Sequence, residues 1–374
     1  MISIEEFLTR FNDEPGYFDF ARVSPIAQSA LEEERALTET LSRARFGSLD
    51  SLFDQTDRVQ RAVSALTGFE PEQIVFQPNT SSGLLQAMFG LSGKVLVSPA
   101  EFPSSPFAAV RAASALGTLE PQWLETDFGG VSAAAIRAQI TTDTTAVCLS
   151  LVDFRSGRLA DLEAIRQVIG DRLLIVDAIQ GFGAVDVDYS LADVVSSGGQ
   201  KWVRAGWGTG FLVLSDRAMG AIKPVLSGFN ATDVEPLPLD EVPEPSRSAK
   251  AFQWSNPNPI AQARFACALE EIAEVGVAQI EAKIRENTAR VISMADEYGI
   301  QVSSPRADAE RAGIVALEPT PENYTVLIAS LHNHGVTATS RGNSIRLSAH
   351  ATTGSESFEM LDSAFKSFST ASRV

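Results

Sequence analysis

Six short apolar runs rich in β-branched residues punctuate the first two thirds of the chain: IVF at 74–76, KVLVS at 94–98, TAVCLSLVD at 145–153, RLLIVDA at 172–178, ADVVSS at 192–197 and FLVLS at 211–215. Strands that alternate apolar and polar residues keep one face in water, whereas near-continuous apolar strands are buried on both faces. Helical patterns separate these runs, so the sequence predicts an α/β fold: a mainly parallel sheet covered by helices on both sides. In such sheets ligands bind beyond the carboxyl ends of the strands. The residues just past each run are therefore the candidates for chemistry.

The 374 residues suffice for about two domains. A connector, VEPLPLDEVPEPSRSAK at 234–250, holds Pro236, Pro238, Pro243 and Pro245 and predicts an extended link rather than an element. Beyond it, apolar residues at helical spacing mark two helices, the second opening near Gly276 and ending at Gly299. GIVALE, VLIASLHNHG and SIRLS then supply strand, helix and strand of a smaller α+β unit. The expected division is a large domain over 21–250 and a small C-terminal domain over 251–374.

Lys and Arg total 30 against 47 Asp and Glu, a net charge of −17 that repels nucleic-acid phosphates and anionic lipid surfaces. The two cysteines, Cys148 and Cys267, form no Cys-x-x-Cys pair and fit a reducing compartment. The N-terminal stretch MISIEEFLTRFNDEPG is acidic and lacks the pattern of a signal peptide. The uncharged run 73–93 carries Gln77, Pro78, Asn79, Thr80, Ser81 and Ser82 at its middle, polar groups that hydrocarbon would leave unsatisfied. The expectation is a cytoplasmic protein.

Three segments carry the functional signal. In SSGGQKWVRAGWGTGFLVLS at 196–215, Lys201 follows one apolar run and precedes a glycine-rich turn into the next. A lysine there is either a solvated cation or a nucleophilic amine, and the flanking glycines, which allow close backbone approach to a ligand, favour the second. Asp177 ends LLIVD and points toward the ligand crevice, although on local grounds it serves equally well as a helix N-cap. A strand-end Asp with a Lys on a neighbouring strand is the pairing that pyridoxal phosphate needs: the amine forms a Schiff base and the carboxylate keeps the pyridine nitrogen protonated. In FQPNTSSGLLQAMFG at 76–90, hydroxyls precede an apolar helix, so Thr80 and Ser81 are either ordinary capping residues or ligands of an anion at a helix N-terminus.

In their order along the chain, hydroxyl-rich loop, strand-end Asp and Lys before a glycine-rich turn, the three segments resemble the class V aminotransferase family, which includes kynureninases, cysteine desulfurases and isopenicillin N epimerase. The resemblance runs from about Phe18 to Arg346. It implies a seven-stranded sheet of the type I pyridoxal-phosphate fold, residues 1–20 packing on the small domain, a homodimer with shared active sites, and an α-amino acid substrate. Lys201 matches the Schiff-base lysine and Asp177 the partner of the pyridine nitrogen. Gln180 matches the residue that bonds the ring hydroxyl, Gln200 a phosphate contact, and Phe102 in SPAEFPSS the side chain stacked on the ring. Asn256 in FQWSNPNPI matches the segment that approaches the neighbouring subunit's phosphate, and Arg346 in SIRLSAH the arginine that holds the substrate carboxylate. Phe154, Arg155, Trp254 and Arg341 are candidate readers of the substrate side chain.

The family's character favours transamination, while LVDFRSGRLADL at 151–162, FQWSNPNPI and Phe102 lean toward a kynureninase-like β-lyase. A non-catalytic relative that only binds the cofactor is the third reading. The loop 335–345 holds no cysteine, which disfavours a persulfide-forming desulfurase. With three histidines and no zinc-type spacing, no metal site is expected. GWGTG at 206–210 leads into a strand and is no dinucleotide fingerprint.

Overall fold

The computed structural model describes residues 2–47, 49–126, 130–238 and 240–372. Strands β1 (Ile74–Phe76), β2 (Gly93–Val97), β3 (Leu119–Trp123), β4 (Thr144–Ser150), β5 (Leu173–Asp177), β6 (Val194–Gly198) and β7 (Gly210–Leu214) form a seven-stranded sheet in the order β1-β7-β6-β5-β4-β2-β3. The pairs β2–β3, β2–β4, β4–β5 and β5–β6 are parallel, and β7 runs antiparallel to both its neighbours. The link from β6 to β7, residues 199–209, contains turns but no helix. It is too short for a crossover, so the chain returns beside β6 in the opposite direction.

Alternate residues of these strands feed two layers. Leu96, Val147, Leu149, Leu174, Val176 and Val195 face one core, while Val95, Val97, Ala146, Cys148, Ile175 and Val194 face the other. Burial of both faces is why the strands read as unbroken apolar runs. The exception is β3, whose sequence LEPQW holds Pro121 and two polar residues. It pairs only with β2, at the edge, where a missing N–H is tolerated.

A second sheet is antiparallel, with β8 (Ile314–Leu317), β10 (Ser344–Ser348) and β9 (Thr339–Arg341) in that order. It covers a third core, built with Leu327, Leu331, Phe358 and Phe365. The N-terminal segment is shared. Phe7 and Phe20 enter the core of the large sheet, whereas Phe18 enters that of the small one, and Tyr17 and Asp19 form parallel bridges to Thr337 and Ser348.

Helix Pro259–Val275, beyond the expected division at 250, contributes Phe265, Leu269 and Ile272 to the large core. Helix Val277–Glu297 then places Ile280 and Ile284 in that core and Val291, Ile292 and Ala295 in the small one. The two cores meet along this helix, and residue 250 precedes a helix that belongs with the large sheet. Among the described residues no helix is long and apolar enough to cross a membrane.

Helix Thr80–Gly90 lies so close to the sheet that a Cβ on Gly83 would sit 2.2 Å from Ser196 Oγ and 3.4 Å from Leu212 Cβ. Gly83→Ala should push the helix off β6 and destabilise the fold by about 1–3 kcal/mol, read as a lower urea midpoint. An unchanged midpoint would show that this approach is not constrained.

Candidate active site

Five of the parallel-running strands end at one edge of the large sheet, and a cavity of about 550 Å³ opens there. β1 leads to Pro78, Asn79, Thr80 and Ser81, β2 to Phe102 and Ser104, β4 to Phe154, β5 to Asp177 and Gln180, and β6 to Gln200 and Lys201. The small sheet adds Arg341 from β9 and Arg346 from β10. Eight of the nine candidate cofactor, catalytic and carboxylate-binding residues read from the sequence thus share one cavity. Asn256 lies outside it, in an adjoining cleft of about 350 Å³, where its side-chain oxygen accepts a hydrogen bond of 3.1 Å from Asn230.

Lys201 is only 8 % exposed, and its Nζ stands 5.5 Å from the centroid of the Phe102 ring. Its turn is fixed on both sides. Arg204 N–H donates to Lys201 O at 3.0 Å, Ala205 N–H to Gly199 O at 2.7 Å, and Ser24 N–H of the N-terminal segment to Gln200 O at 2.8 Å. A Cβ on Gly198 would lie 2.4 Å from Gln200 Oε1 and 3.3 Å from Thr80 Oγ1, so a larger residue there would displace the Gln200 amide. Burial holds the Lys201 ammonium down to about 8; Asp177 opposes this, and Arg346 and Arg341 add to it.

Asp177, fully buried at the end of β5, accepts a 3.0 Å hydrogen bond from Ile179 N–H. Burial raises its carboxyl to about 6, against the pull of that hydrogen bond and of Lys201. It is therefore ionised at neutral pH and ready for a cationic partner. Gln180 donates to Ala21 O at 2.8 Å and accepts from Trp202 Nε1 at 3.0 Å, which locks its amide and leaves one amide hydrogen to spare.

At the start of helix Thr80–Gly90, the N-cap Asn79 accepts from Ser82 N–H at 2.9 Å. Thr80 Oγ1 is buried without a partner, and Ser81 and Ser104 hydroxyls share a 2.6 Å hydrogen bond. An orphaned hydroxyl and a helix N-terminus at one end of the cavity form a cradle for an anion. At the other end, Arg346 Nη1 donates to Phe154 O at 2.7 Å and Nη2 lies 3.7 Å from Asp19, while its buried Nε has no partner. Burial lowers the Arg346 guanidinium to about 10.

Of the candidate side-chain readers, Phe154 and Arg341 line the cavity; Phe154 meets Phe102 edge-to-face at 5.3 Å and carries Arg341 on its ring at 5.4 Å. Arg155 instead pairs with Asp153 at 2.8 Å, and Trp254 lines the adjoining cleft. Arg22 and Trp207 also line the cavity and carried no sequence signal, one lying in the N-terminal segment and the other in the glycine-rich turn. Glu101 was not singled out either. Buried beneath the site, it accepts from Ser150 N–H at 3.1 Å, and burial raises it to about 7, helped by the charges of Asp177 and Asp153.

The family model described as aminotransferase class-V matches residues 22–365. The chain belongs to the class V aminotransferase family. It is 24% identical over 335 residues to the uncharacterized aminotransferase YcbU of Bacillus subtilis (strain 168), covering 85% of this chain and 87% of that protein. A kynureninase of Deinococcus radiodurans is 26% identical over 274 residues, 70% of this chain and 65% of that one. Among solved structures, the apo cysteine desulfurase from Thermococcus onnurineus NA1 superposes with a TM-score of 0.87 at 20% identity, covering 99% of each chain. A complex of the cystine C-S lyase C-DES gives 0.84 at 18% identity, covering 94% of this chain and 97% of that one. These likenesses establish the type I fold.

Class V aminotransferases use pyridoxal phosphate, and the residues present fit it. The orphaned Thr80 hydroxyl at the helix N-terminus suits the phosphate, the Phe102 face a flat ring, the buried Asp177 carboxylate a ring nitrogen, and Lys201 an aldehyde. In the cofactor-free protein, carbamylation of Lys201 by cyanate, followed by peptide mass across pH, should have its midpoint near 8, well below that of ordinary lysines. Asp177→Asn removes the charge that holds the proton on and should move the midpoint lower. A midpoint near that of the exposed lysines would contradict the burial argument.

Proposed function

We propose that this protein is an aminotransferase acting on an α-amino acid, with Lys201 as its catalytic residue. The observation that carries the reading is a nearly buried amine, its proton held down to about 8, in one cavity with an arginine whose buried Nε is unspent. Pyridoxal phosphate, when bound, supplies an aldehyde for the amino group and an electron-poor ring that takes up charge released at the α-carbon.

The chain's own groups do the rest. Thr80 Oγ1, the N–H groups of the first helical turn, Ser81 and Gln200 hold the phosphate, and the Phe102 ring gives the pyridine a face to stack on. Asp177 holds negative charge at the ring nitrogen, and the spare amide hydrogen of Gln180 serves the ring hydroxyl. Arg346 binds the α-carboxylate with its planar fork, which orients the α-carbon. Lys201 Nζ would take the α-proton and deliver it to the cofactor's former aldehyde carbon rather than back to the α-carbon, a task suited to an amine whose pKa lies near the working pH. Asn256, outside its own subunit's cavity, is assigned to the partner's phosphate in a homodimer.

A β-lyase is the second reading, supported by the likeness to kynureninases and by the aromatic wall that Phe102 and Phe154 form. A persulfide-forming desulfurase is disfavoured. Cys148 lies inside β4 with its thiol pushed up by burial, and Cys267 lies in helix Pro259–Val275.

Incubating the cofactor-loaded protein with an amino-acid donor should release one 2-keto acid per cofactor and leave the cofactor in its amine form. Lys201→Ala should abolish this. Continuous release of pyruvate or alanine with the cofactor unchanged would establish the lyase instead, and a coloured protein silent toward every amino acid would overturn both.

A further inference from the structure

We propose that the substrate carries a second carboxylate on its side chain, and that Arg341 is the residue that selects it. The inference rests on the amino-acid reading above and specifies its substrate class. Three guanidiniums, Arg22, Arg341 and Arg346, line the cavity opposite the Thr80 anion cradle. Two of them share one carboxylate, Asp19, which lies 3.7 Å from Arg346 and 3.9 Å from Arg22 and is also bonded by the Thr339 hydroxyl at 2.7 Å. Three positive charges against one negative leave an excess of two at this end.

The other charged groups nearby do not cancel the excess. Asp177 lies beside Lys201 at the base of the cavity, and Glu101 is buried on Ser150. Arg155 is tied to Asp153. Arg341 forms no ion pair among the described residues, and its guanidinium rests on the Phe154 ring. Arg22, its side chain 70 % exposed, and the exposed Arg341 put this surplus at the solvent-facing mouth of the cavity, where, in a chain with 47 acidic residues and 30 basic ones, it favours an anionic occupant. One α-carboxylate answers Arg346 and leaves one positive charge over.

The strand register supports the pairing. Arg341 of β9 stands opposite Ser344 of β10, and Arg346 lies two residues further along β10. Cross-strand partners share a face, as do residues two apart, so Arg341 and Arg346 are diagonal neighbours on one face of the small sheet. Two adjacent forks, Arg341 over the Phe154 ring and Arg346 on the Phe154 carbonyl, are suited to one small molecule bearing two carboxylates. A monoanionic substrate would leave Arg341 with its ring contact alone.

The test titrates the pyridoxal-phosphate-loaded protein at low ionic strength with L-aspartate and L-glutamate against L-asparagine and L-glutamine, following the visible band. Thermal stabilisation of the same protein by succinate against succinamate gives a readout free of turnover. The acids should bind at least about tenfold more tightly than their amides, because a cation built for the second carboxylate is left unpaired by an amide. Arg341→Gln should collapse that ratio to within about threefold, and Arg341→Lys should retain part of it. Arg22→Gln serves as a second probe of the same surplus.

Amides binding as well as acids would overturn the proposal. So would Arg341→Gln weakening acids and amides equally, which is the mark of a residue that merely supports Phe154. A protein that acquires no visible band with pyridoxal phosphate would instead refute the reading of the cofactor site on which the proposal rests.

Discussion

The structure turns on the cost of keeping a primary amine out of water. An ammonium loses hydration when buried, and the protein compensates only in part, with Asp177 on the adjacent strand, while Arg346 and Arg341 work the other way. The balance is an amine that gives up its proton near neutrality. Such a balance requires that the turn carrying Lys201 should not open. Its neighbour Arg204 sits at φ +62, a left-handed conformation that side chains rarely adopt. The surroundings over-determine it: Arg204 pairs with Asp13, bonds Thr352, donates to Pro25 O and stacks on Phe11 at 4.3 Å.

Those partners come from opposite ends of the chain, so the Lys201 turn depends on both. The N-terminal segment lends Phe7 and Phe20 to the large core and bridges the small sheet at Tyr17 and Asp19. Asp19 then positions Arg346, across the cavity from the turn that Ser24 and Arg204 help to fix. Helix Val277–Glu297, with a stripe in each core, sets the distance between the sheets. A shift between the two units moves Arg346 relative to Lys201, and a misplacement of about 1 Å at a reacting centre is costly. The shared helix and the bridging segment oppose that shift.

The strands and the cofactor end of the site were legible in the sequence because burial on both faces writes itself as apolar runs, and the end of each run marks the edge where ligands bind. Lys201, Asp177 and Thr80 were singled out in this way, as residues at or just past a strand end, and Phe102 by resemblance; the structure brings all four to one cavity. β3 was not legible, since at an edge Pro121, Glu120 and Gln122 cost little and erase the pattern. Arg22 and Glu101 were missed for another reason: Glu101 is placed by its contact with distant Ser150, and Arg22 reaches the cavity because the N-terminal segment that carries it, with its local partner Asp19, packs against the small sheet. The expected division at 250 came from the proline-rich connector, a local signal, whereas the assignment of helix Pro259–Val275 to the large core is a matter of packing.

Glu101 and Asp177 show how one buried neighbourhood supports two carboxyl groups of unlike state. Both are desolvated, which raises both, and the Asp177 charge raises Glu101 further. Asp177 has Lys201 nearby and the Ile179 N–H on its oxygen, so its negative form is the better supported. Glu101 feels the charges of Asp177 and Asp153 and holds its proton up to about 7 in spite of the Ser150 N–H and hydroxyl. Near neutrality Asp177 therefore carries the larger share of the negative charge and Glu101 the smaller. A cationic group arriving at Asp177 would stabilise the ionised form of that carboxyl and, by neutralising the charge that raises Glu101, would draw the Glu101 carboxyl down as well.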